Sequence, residues 1–396
     1  MIIILMKAKL THSDNILPII AGLKKYNNKG KIELIYPSKT SIAIIKKNVS
    51  LYETINQIAS IKYFYSTQEI QKIFFSKTIS GLLSIIYRNY IMLKLLFKKI
   101  HVFRIEDIPK INWLINFNRK VYSSKKISLF LYSFDFNHYV ASLKRSKIQT
   151  NKTKNIHITK QLKTDSDILI SSFNDQELIK IYQNIGQYNY IKYNIGNSFY
   201  RWPSWKEIII KNSYKEILQL PKEYIFFPLA IIIRKEHNRT KNFSDDIIKI
   251  VEAIRSKNKS IYIIFRPHPT TQMDILEKIF KKIKLENFLI SYSNPVVLIK
   301  YCKFVVRYGL SLMDSRVFDE GKYMIRYFNT DIAKESQTEI EYGKKMYKKN
   351  NYIDILNEKK LQEVIGESIN DDKYIIRKEN YDNEEKKHIK NILSLI

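Results

Sequence analysis

The sequence predicts an α/β protein built as two doubly wound, Rossmann-like domains, and three observations carry this. Short hydrophobic runs alternate with segments of helical period along most of the chain, the pattern of parallel βαβ units with helices on both faces of a sheet. At 396 residues the chain is too long for one ordinary core and suits two domains of roughly 150 to 200 residues. Polar and cationic residues follow the strand ends without interrupting the strands, and the carboxyl edge of such a sheet is where ligands bind.

Met1 to Met6 reads as a buried first strand. A polar loop, Thr11 to Asn15, follows, with Ser13 or Asp14 as N-cap of a helix whose period is set by Ile16, Leu17, Ile19, Ile20 and Leu23. Further strands are predicted at Ile32–Tyr36, closed by Pro37, at Ile61–Tyr65, at Lys99–Ile105 after a long apolar helix, and at Ile127–Tyr132. Asp165–Ser172 and Tyr190–Gly196 supply two more, separated by a helix from Asp175 to about Asn184. Trp202-Pro203-Ser204-Trp205 reads as an irregular crossover. It sets the first domain at 1–205 and the second at 206–375, with a C-terminal helix at 376–396 expected to pack back on the first.

The second set opens with Tyr224–Leu229, running on through Ile233 into a basic loop, Arg234 to Arg239. Ser244 or Asp245 is placed to cap a helix from Asp246 to Arg255. The run Ile261–Phe265 ends abruptly in Arg266-Pro267-His268-Pro269, where two prolines, unable to donate to a ladder, stop the strand. A helix (Met273–Lys284), a strand (Phe288–Ser291), a helical turn (Val296–Tyr301) and a strand (Phe304–Val306) lead to the loop Arg307-Tyr308-Gly309-Leu310-Ser311. Gly321 suits a left-handed helix end, and Met324–Phe328 is expected to be the last strand.

Hydrophobic residues make up 45% and charged residues 27%, a globular composition. The 68 Lys and Arg against 38 Asp and Glu give a net charge of +30, which draws the chain to polyanions. Zinc-ligand spacing, an RRM-like aromatic motif and a separate basic tract are missing, which argues against nucleic acid as partner. No glycine-rich P-loop or GxGxxG is present, so neither a P-loop NTPase nor a nicotinamide enzyme is supported. The single cysteine, Cys302, excludes a disulfide framework and reads as core. The apolar opening is too short for a signal peptide, so a cytoplasmic location is expected. Ile79 to Phe97, interrupted by Arg88 and Lys94 and followed by Lys98 and Lys99, falls short of a membrane span. It suits either a core helix or a basic helix lying on an anionic membrane surface.

Arg266-Pro267-His268-Pro269 on a strand, then a strand, a loop with Gly309 and Ser311, a helix and Gly321-Lys322, resembles the carboxy-terminal half of a GT-B glycosyltransferase. The resemblance is to bacterial surface-polysaccharide transferases with a His-Pro motif: the Kdo and sialic acid transferases that use CMP-sugars, and the CDP-glycerol glycerophosphotransferases. Asp167 to Ser171 and Asn194-Ile195-Gly196 match the end of a GT-B amino-terminal domain. The resemblance implies two Rossmann-like domains facing a cleft, a nucleotide-sugar donor, a glycan or lipid-linked glycan acceptor, and a peripheral place on the inner face of the membrane. It also implies that His268 contacts the donor phosphate and Ser311 the phosphate or sugar. Many relatives carry a glutamate where this chain has Arg316, which leaves Asp319 and Glu320 as the carboxylates near a ribose and suits a CMP-linked acidic sugar.

From the residues themselves, Arg234, Arg266, His268 and Arg307 with Gly309 and Ser311 form the donor-binding candidates, since guanidinium groups and helix amino termini together grip phosphate. Arg316 joins them through the resemblance. Arg239 stands with Arg234 but reads as solvated. A general base for an inverting transfer is sought in the first domain, where His12 and Asp14 follow the first strand and Asp135 and His138 come next. Each has a plainer reading: Asp14 as a cap, Asp135 in a turn, His268 bonded to a carbonyl, Ser311 as a helix cap. Neither a metal nor another cofactor is expected, and Asp165-Ser166-Asp167 reads as a strand entry. Glycerol phosphate transfer, UDP-sugar 2-epimerisation and a non-catalytic polyanion-binding role are the alternatives.

Overall fold

The computed structural model describes residues 1–6, 10–27, 30–36, 39–46, 48–63, 94–104, 112–130, 167–171, 191–196, 202–229, 239–267, 271, 273–308, 317, 320–327, 352–355, 357–370 and 381–396. The chain forms two compact units, Met1–Ile208 with Tyr381–Ile396, and Ile209–Asn380.

Unit 1 is built on a seven-stranded sheet of order β3-β2-β1-β4-β5-β6-β7, every pair parallel. Its strands are β1 (Ile2–Leu5), β2 (Ile32–Tyr36), β3 (Ser60–Tyr63), β4 (His101–Arg104), β5 (Lys126–Phe130), β6 (Ile168–Ser171) and β7 (Ile191–Asn194). β1 and β2 are buried along their whole length, as unbroken apolar runs in a parallel sheet must be. The helices are α1 (Leu10–Tyr26), α2 (Lys39–Lys46), α3 (Val49–Ile58) and α4 (Asn112–Tyr122). α1 begins before the predicted cap: Thr11 to Asn15 are helical, and Pro18 sits inside the helix. A proline there forfeits one backbone bond and crowds the preceding turn, at a cost of about 3 kcal/mol. Burial of Ile16, Leu17, Ile19, Ile20 and Leu23 opposes that cost, at about 1.5–3 kcal/mol for each large side chain.

Trp202-Pro203-Ser204-Trp205 is no irregular crossover. Pro203 opens α5 (Pro203–Asn212), the position where its missing N–H costs nothing, and Trp202 and Trp205 are buried. α6 (Tyr214–Leu218) follows. The helix α11 (Asp382–Leu395) belongs to unit 1 and packs on α1. Gly22 makes that approach possible: a Cβ there would lie 2.7 Å from Ile389 Cγ1 and 3.0 Å from Glu385 Oε1. Tyr193 and His388 share a 2.7 Å hydrogen bond, Asn391 donates to Tyr193 at 2.9 Å, Trp202 stacks on His388, and Ser204 N–H donates to Glu385 at 3.2 Å.

Unit 2 has a six-stranded sheet of order β10-β9-β8-β11-β12-β13, again parallel throughout. The strands are β8 (Tyr224–Pro228), β9 (Tyr262–Arg266), β10 (Phe288–Ile290), β11 (Val305–Tyr308), β12 (Met324–Tyr327) and β13 (Tyr352–Ile355). Met324–Tyr327 is thus not the last strand. β13 extends the sheet beyond it, with Ile353 and Ile355 packed in the larger core cluster. The helices are α7 (Arg239–Lys257), α8 (Met273–Lys282), α9 (Pro295–Tyr301) and α10 (Glu358–Asn370). α7 starts at Arg239, so Ser244 and Asp245 lie within it and are not its N-cap. Gly321 has φ 66°, and Lys322 N–H bonds Val317 carbonyl at 3.0 Å, the six-to-one bond of a Schellman end.

Strand alternation divides the unit 2 core. Ile225, Phe227, Ile263, Phe265, Val306 and Ile325 face one cluster. Tyr224, Phe226, Ile264, Val305 and Met324 face the other, with Leu298 and Ile299 of α9 and the buried Cys302. Burial pushes the Cys302 thiol up to about 12, an inert core cysteine. Among the described residues, no helix is long and apolar enough to cross a membrane.

Candidate functional site

Both sheets reverse their strand order once. In unit 1 the switch lies between β1 and β4, and in unit 2 between β8 and β11. At such a point the loops leaving two neighbouring strands diverge to opposite faces, opening a crevice at the carboxyl edge.

The sequence places arginines at the unit 2 crevice in a way that only the register reveals. Pro228 pairs with Arg266, Arg307 with Arg326, and Arg326 with Asp354. The Val305–Phe226 pairing carries Arg307 to the level of Pro228. Arg266, Arg307 and Arg326 therefore occupy one row across β9, β11 and β12, near the carboxyl edge. Each lies two residues beyond a member of the α9-side cluster, Ile264, Val305 and Met324, so all three share that face. Arg307 is 2% exposed and Arg326 is fully buried, while Arg266 is half-buried. None of the three is without a partner.

Arg266 Nε donates to the Ser293 carbonyl at 3.0 Å. Ser293 immediately precedes Asn294, whose side chain accepts Val296 N–H and caps α9. The β9 arginine thereby fixes the entry to a helix on the same face, and buried Pro267 ends the strand behind it. Strand spacing of about 4.8 Å puts the Arg266 and Arg307 positions about 10 Å apart, where one charge acts on another with roughly 1.7 kcal/mol at an effective dielectric near 20. A row of guanidinium groups near a carboxyl edge suits a phosphate-bearing anion, and of the three Arg266 is the one more than 2% exposed.

Arg326 is the member that sequence reading missed. Ile264-Phe265-Arg266, Val305-Val306-Arg307 and Met324-Ile325-Arg326 share one pattern, two apolar residues and an arginine at a strand end, and that repetition was the available signal. Among the other donor-binding candidates, Arg234, His268, Gly309, Ser311 and Arg316 lie outside the described residues, as does Asp319. Glu320 is buried in the turn before β12. Arg239 opens α7.

In unit 1, His12 and Asp14 fall in the first turns of α1, the helix that follows β1 at the switch point. Asp135 and His138 lie outside the described residues. Asp167 is fully engaged just before β6: it accepts from Arg119 at 2.5 and 3.0 Å and from Lys126 N–H at 2.8 Å, which makes it a structural anchor.

No protein-family model matches the sequence, and no curated protein matches it either. Solved structures do. A putative UDP-N-acetylglucosamine 2-epimerase from Listeria monocytogenes aligns with a TM-score of 0.55 at 10% identity, over 99% of this chain and 94% of its own. The UDP-N-acetylglucosamine 2-epimerase of Rickettsia bellii aligns with 0.52 at 12%, over 100% and 95%. The MnaA–UDP structure from S. aureus aligns with 0.51 at 12%, over 100% and 97%. At these identities the likeness is one of fold. The chain has the GT-B fold, two Rossmann-like units in one polypeptide.

Proposed function

We propose that this chain is a GT-B glycosyltransferase that moves a sugar from a nucleotide-activated donor to a surface glycan acceptor. The observation that carries the reading is the arginine row at the switch point of unit 2. Fixed guanidinium groups lower the barrier most where negative charge grows, and in sugar transfer that is the departing phosphate. Arg266 and Arg307 supply the charge, and His268, two residues past the end of β9, donates to a phosphate oxygen. A carboxylate or imidazole of unit 1, His12 or Asp14, takes the acceptor hydroxyl proton as the new bond forms, giving inversion. The cations do the work otherwise assigned to a divalent metal. A CMP-linked acidic sugar is the favoured donor, because the net charge of +30 and Arg316 both suit a donor with an additional carboxylate.

A thermal-shift panel of CMP, CDP and UDP tests this, together with transfer assays on His268→Ala. One nucleotide should raise the melting temperature by several degrees, and the variant should lose at least a hundredfold in turnover. The reading fails if no nucleotide stabilises the chain and His268→Ala keeps full activity.

The three related structures favour one competing reading, a UDP-sugar 2-epimerase on the same fold. Incubation with UDP-N-acetylglucosamine and no acceptor separates the two. Accumulation of the 2-epimer, followed by proton NMR, would replace the transferase assignment.

A further inference from the structure

α4 buries Leu114, Ile115 and Asn118, as a helix on a sheet should, yet it also carries a second apolar stripe facing outward. Trp113, Phe117 and Val121 are 59%, 40% and 53% exposed, and their spacing of four places them in one line along the helix. Phe97, on the segment that precedes β4, is 70% exposed. The turn that carries Phe97 is bound to α4: Asn118 Nδ2 donates to the Leu95 and Lys98 carbonyls, and Tyr122 to Leu96. Lys98 and Lys99, both exposed, come with it.

A shallow cavity of about 570 Å³, wide open to solvent, lies on the flank of the same helix. Arg119, Lys120 and Lys125 line it with the hydroxyls of Ser123 and Ser124, and its one carboxylate, Asp167, is committed to Arg119 and to Lys126 N–H. Lys120 and Lys125 therefore leave the cavity cationic. Behind Lys125, His101 accepts its backbone N–H on Nδ1 at 3.2 Å. Its imidazole is held down at about 4, first by burial and then by Lys99, the chain's amino terminus and Lys125. Lys125 and Asp167 stand just before β5 and β6, so the cavity lies at the amino edge of the sheet.

We propose that unit 1 docks on an anionic lipid bilayer through this surface, the α4 stripe entering the headgroup–acyl boundary and the cavity taking a headgroup phosphate. Apolar side chains rimmed by lysines are what an interfacial helix presents, and tryptophan favours that depth. Charge fits the occupant, since unit 1 holds 36 of the 68 Lys and Arg but only 15 of the 38 Asp and Glu. The surface deepens the peripheral location that the transferase reading carries, but it does not depend on the donor chemistry.

The test uses the full chain and vesicles of phosphatidylcholine with or without phosphatidylglycerol. Trp202 and Trp205 are buried, so quenching of tryptophan emission by brominated lipid reports Trp113. Binding at physiological salt should be at least tenfold tighter with phosphatidylglycerol, and Trp113 should be quenched. A triple variant, Trp113→Ser, Phe117→Ser and Val121→Ser, should keep its melting temperature and lose at least tenfold in binding. Lys120→Glu with Lys125→Glu should abolish the preference for the anionic lipid. The proposal is overturned if the wild type ignores both vesicles, if both variants bind as well as wild type, or if binding follows soluble glycerol phosphate alone. It is equally overturned if the chain is a dimer that the triple variant makes monomeric with no lipid quenching, which would assign the stripe to a second copy. Transfer to a soluble acceptor is read in parallel, so loss of turnover with intact vesicle binding counts against the transferase reading only.

Discussion

Arg266 combines two duties in one guanidinium. Its Nε holds the Ser293 carbonyl, and its charge heads a row completed by Arg307 and Arg326. Arg266→Lys keeps the charge but not the planar fork, and should weaken nucleotide binding about tenfold by calorimetry, while Arg266→Gln should cost about a hundredfold. Equal affinities for the two variants would mean that the charge at this position contributes nothing to binding. At the opposite edge of unit 1, His101 makes a prediction of another kind. Its pKa falls from 6.5 to about 4, with burial the leading cause, so the folded state holds it neutral while the unfolded chain takes up a proton below pH 6.5. Its stabilising contribution is complete above pH 6.5 and disappears as pH falls through 4, a total of about 3 kcal/mol. His388, lowered by burial, slopes in the same direction. Urea melts of His101→Asn between pH 7 and pH 4 should show a clearly shallower loss than wild type, and an unchanged slope would rule the imidazole out.

Among the elements, the close approach of α1 and α11 rests on Gly22. Gly22→Ala gains about 1 kcal/mol of helix propensity and loses about 1–3 kcal/mol to overpacking against buried Ile389. A net loss near 1 kcal/mol is expected, rising to about 3 kcal/mol for Gly22→Val. Ile389→Ala in the same chain should recover part of it, so a double-mutant cycle that shows strict additivity would refute the contact. The elements also show which parts of the fold could be read from sequence. Unbroken runs such as Ile2–Leu5 and Tyr224–Phe227 declared themselves as buried parallel strands, and Gly321 declared a left-handed helix end. β13 did not: Tyr352-Ile353-Asp354-Ile355 is short, half polar and at a sheet edge, where one apolar face suffices. The start of α1 was hidden by Thr11 to Asn15, a stretch that looks like a loop because all of its residues but His12 favour caps. Pro203 was misread with its tryptophans, though the first turn of a helix is where proline fits best. The arginine row was half legible. Two strand ends announced themselves, but alignment across strands depends on register, and one sequence does not display register.

At the scale of the whole molecule, unit 1 is made from the two ends of the chain. Glu385, Ile389 and Ile392 are buried in it, and Trp202, Tyr193 and Gly22 all meet the same helix. Removing residues 381–396 should therefore sharply raise hydrogen exchange in α1 and β7 and leave the amides of β8, β9 and β11 protected as before. Equal protection in α1 with and without the helix would contradict this. Burial of Glu385 raises its carboxyl pKa, so the docked helix is most stable with that group protonated, and loses part of its hold as pH rises through the raised value. Residues 381–396 also leave the ribosome only after all of unit 2. The first domain to be synthesised is thus the last to be finished: α1 must wait, one apolar face uncovered, while a complete second domain is translated and folds. In the cell this interval is when unit 1 is most open to chaperones and to aggregation, and a stalled or shortened message would leave unit 1 unfinished.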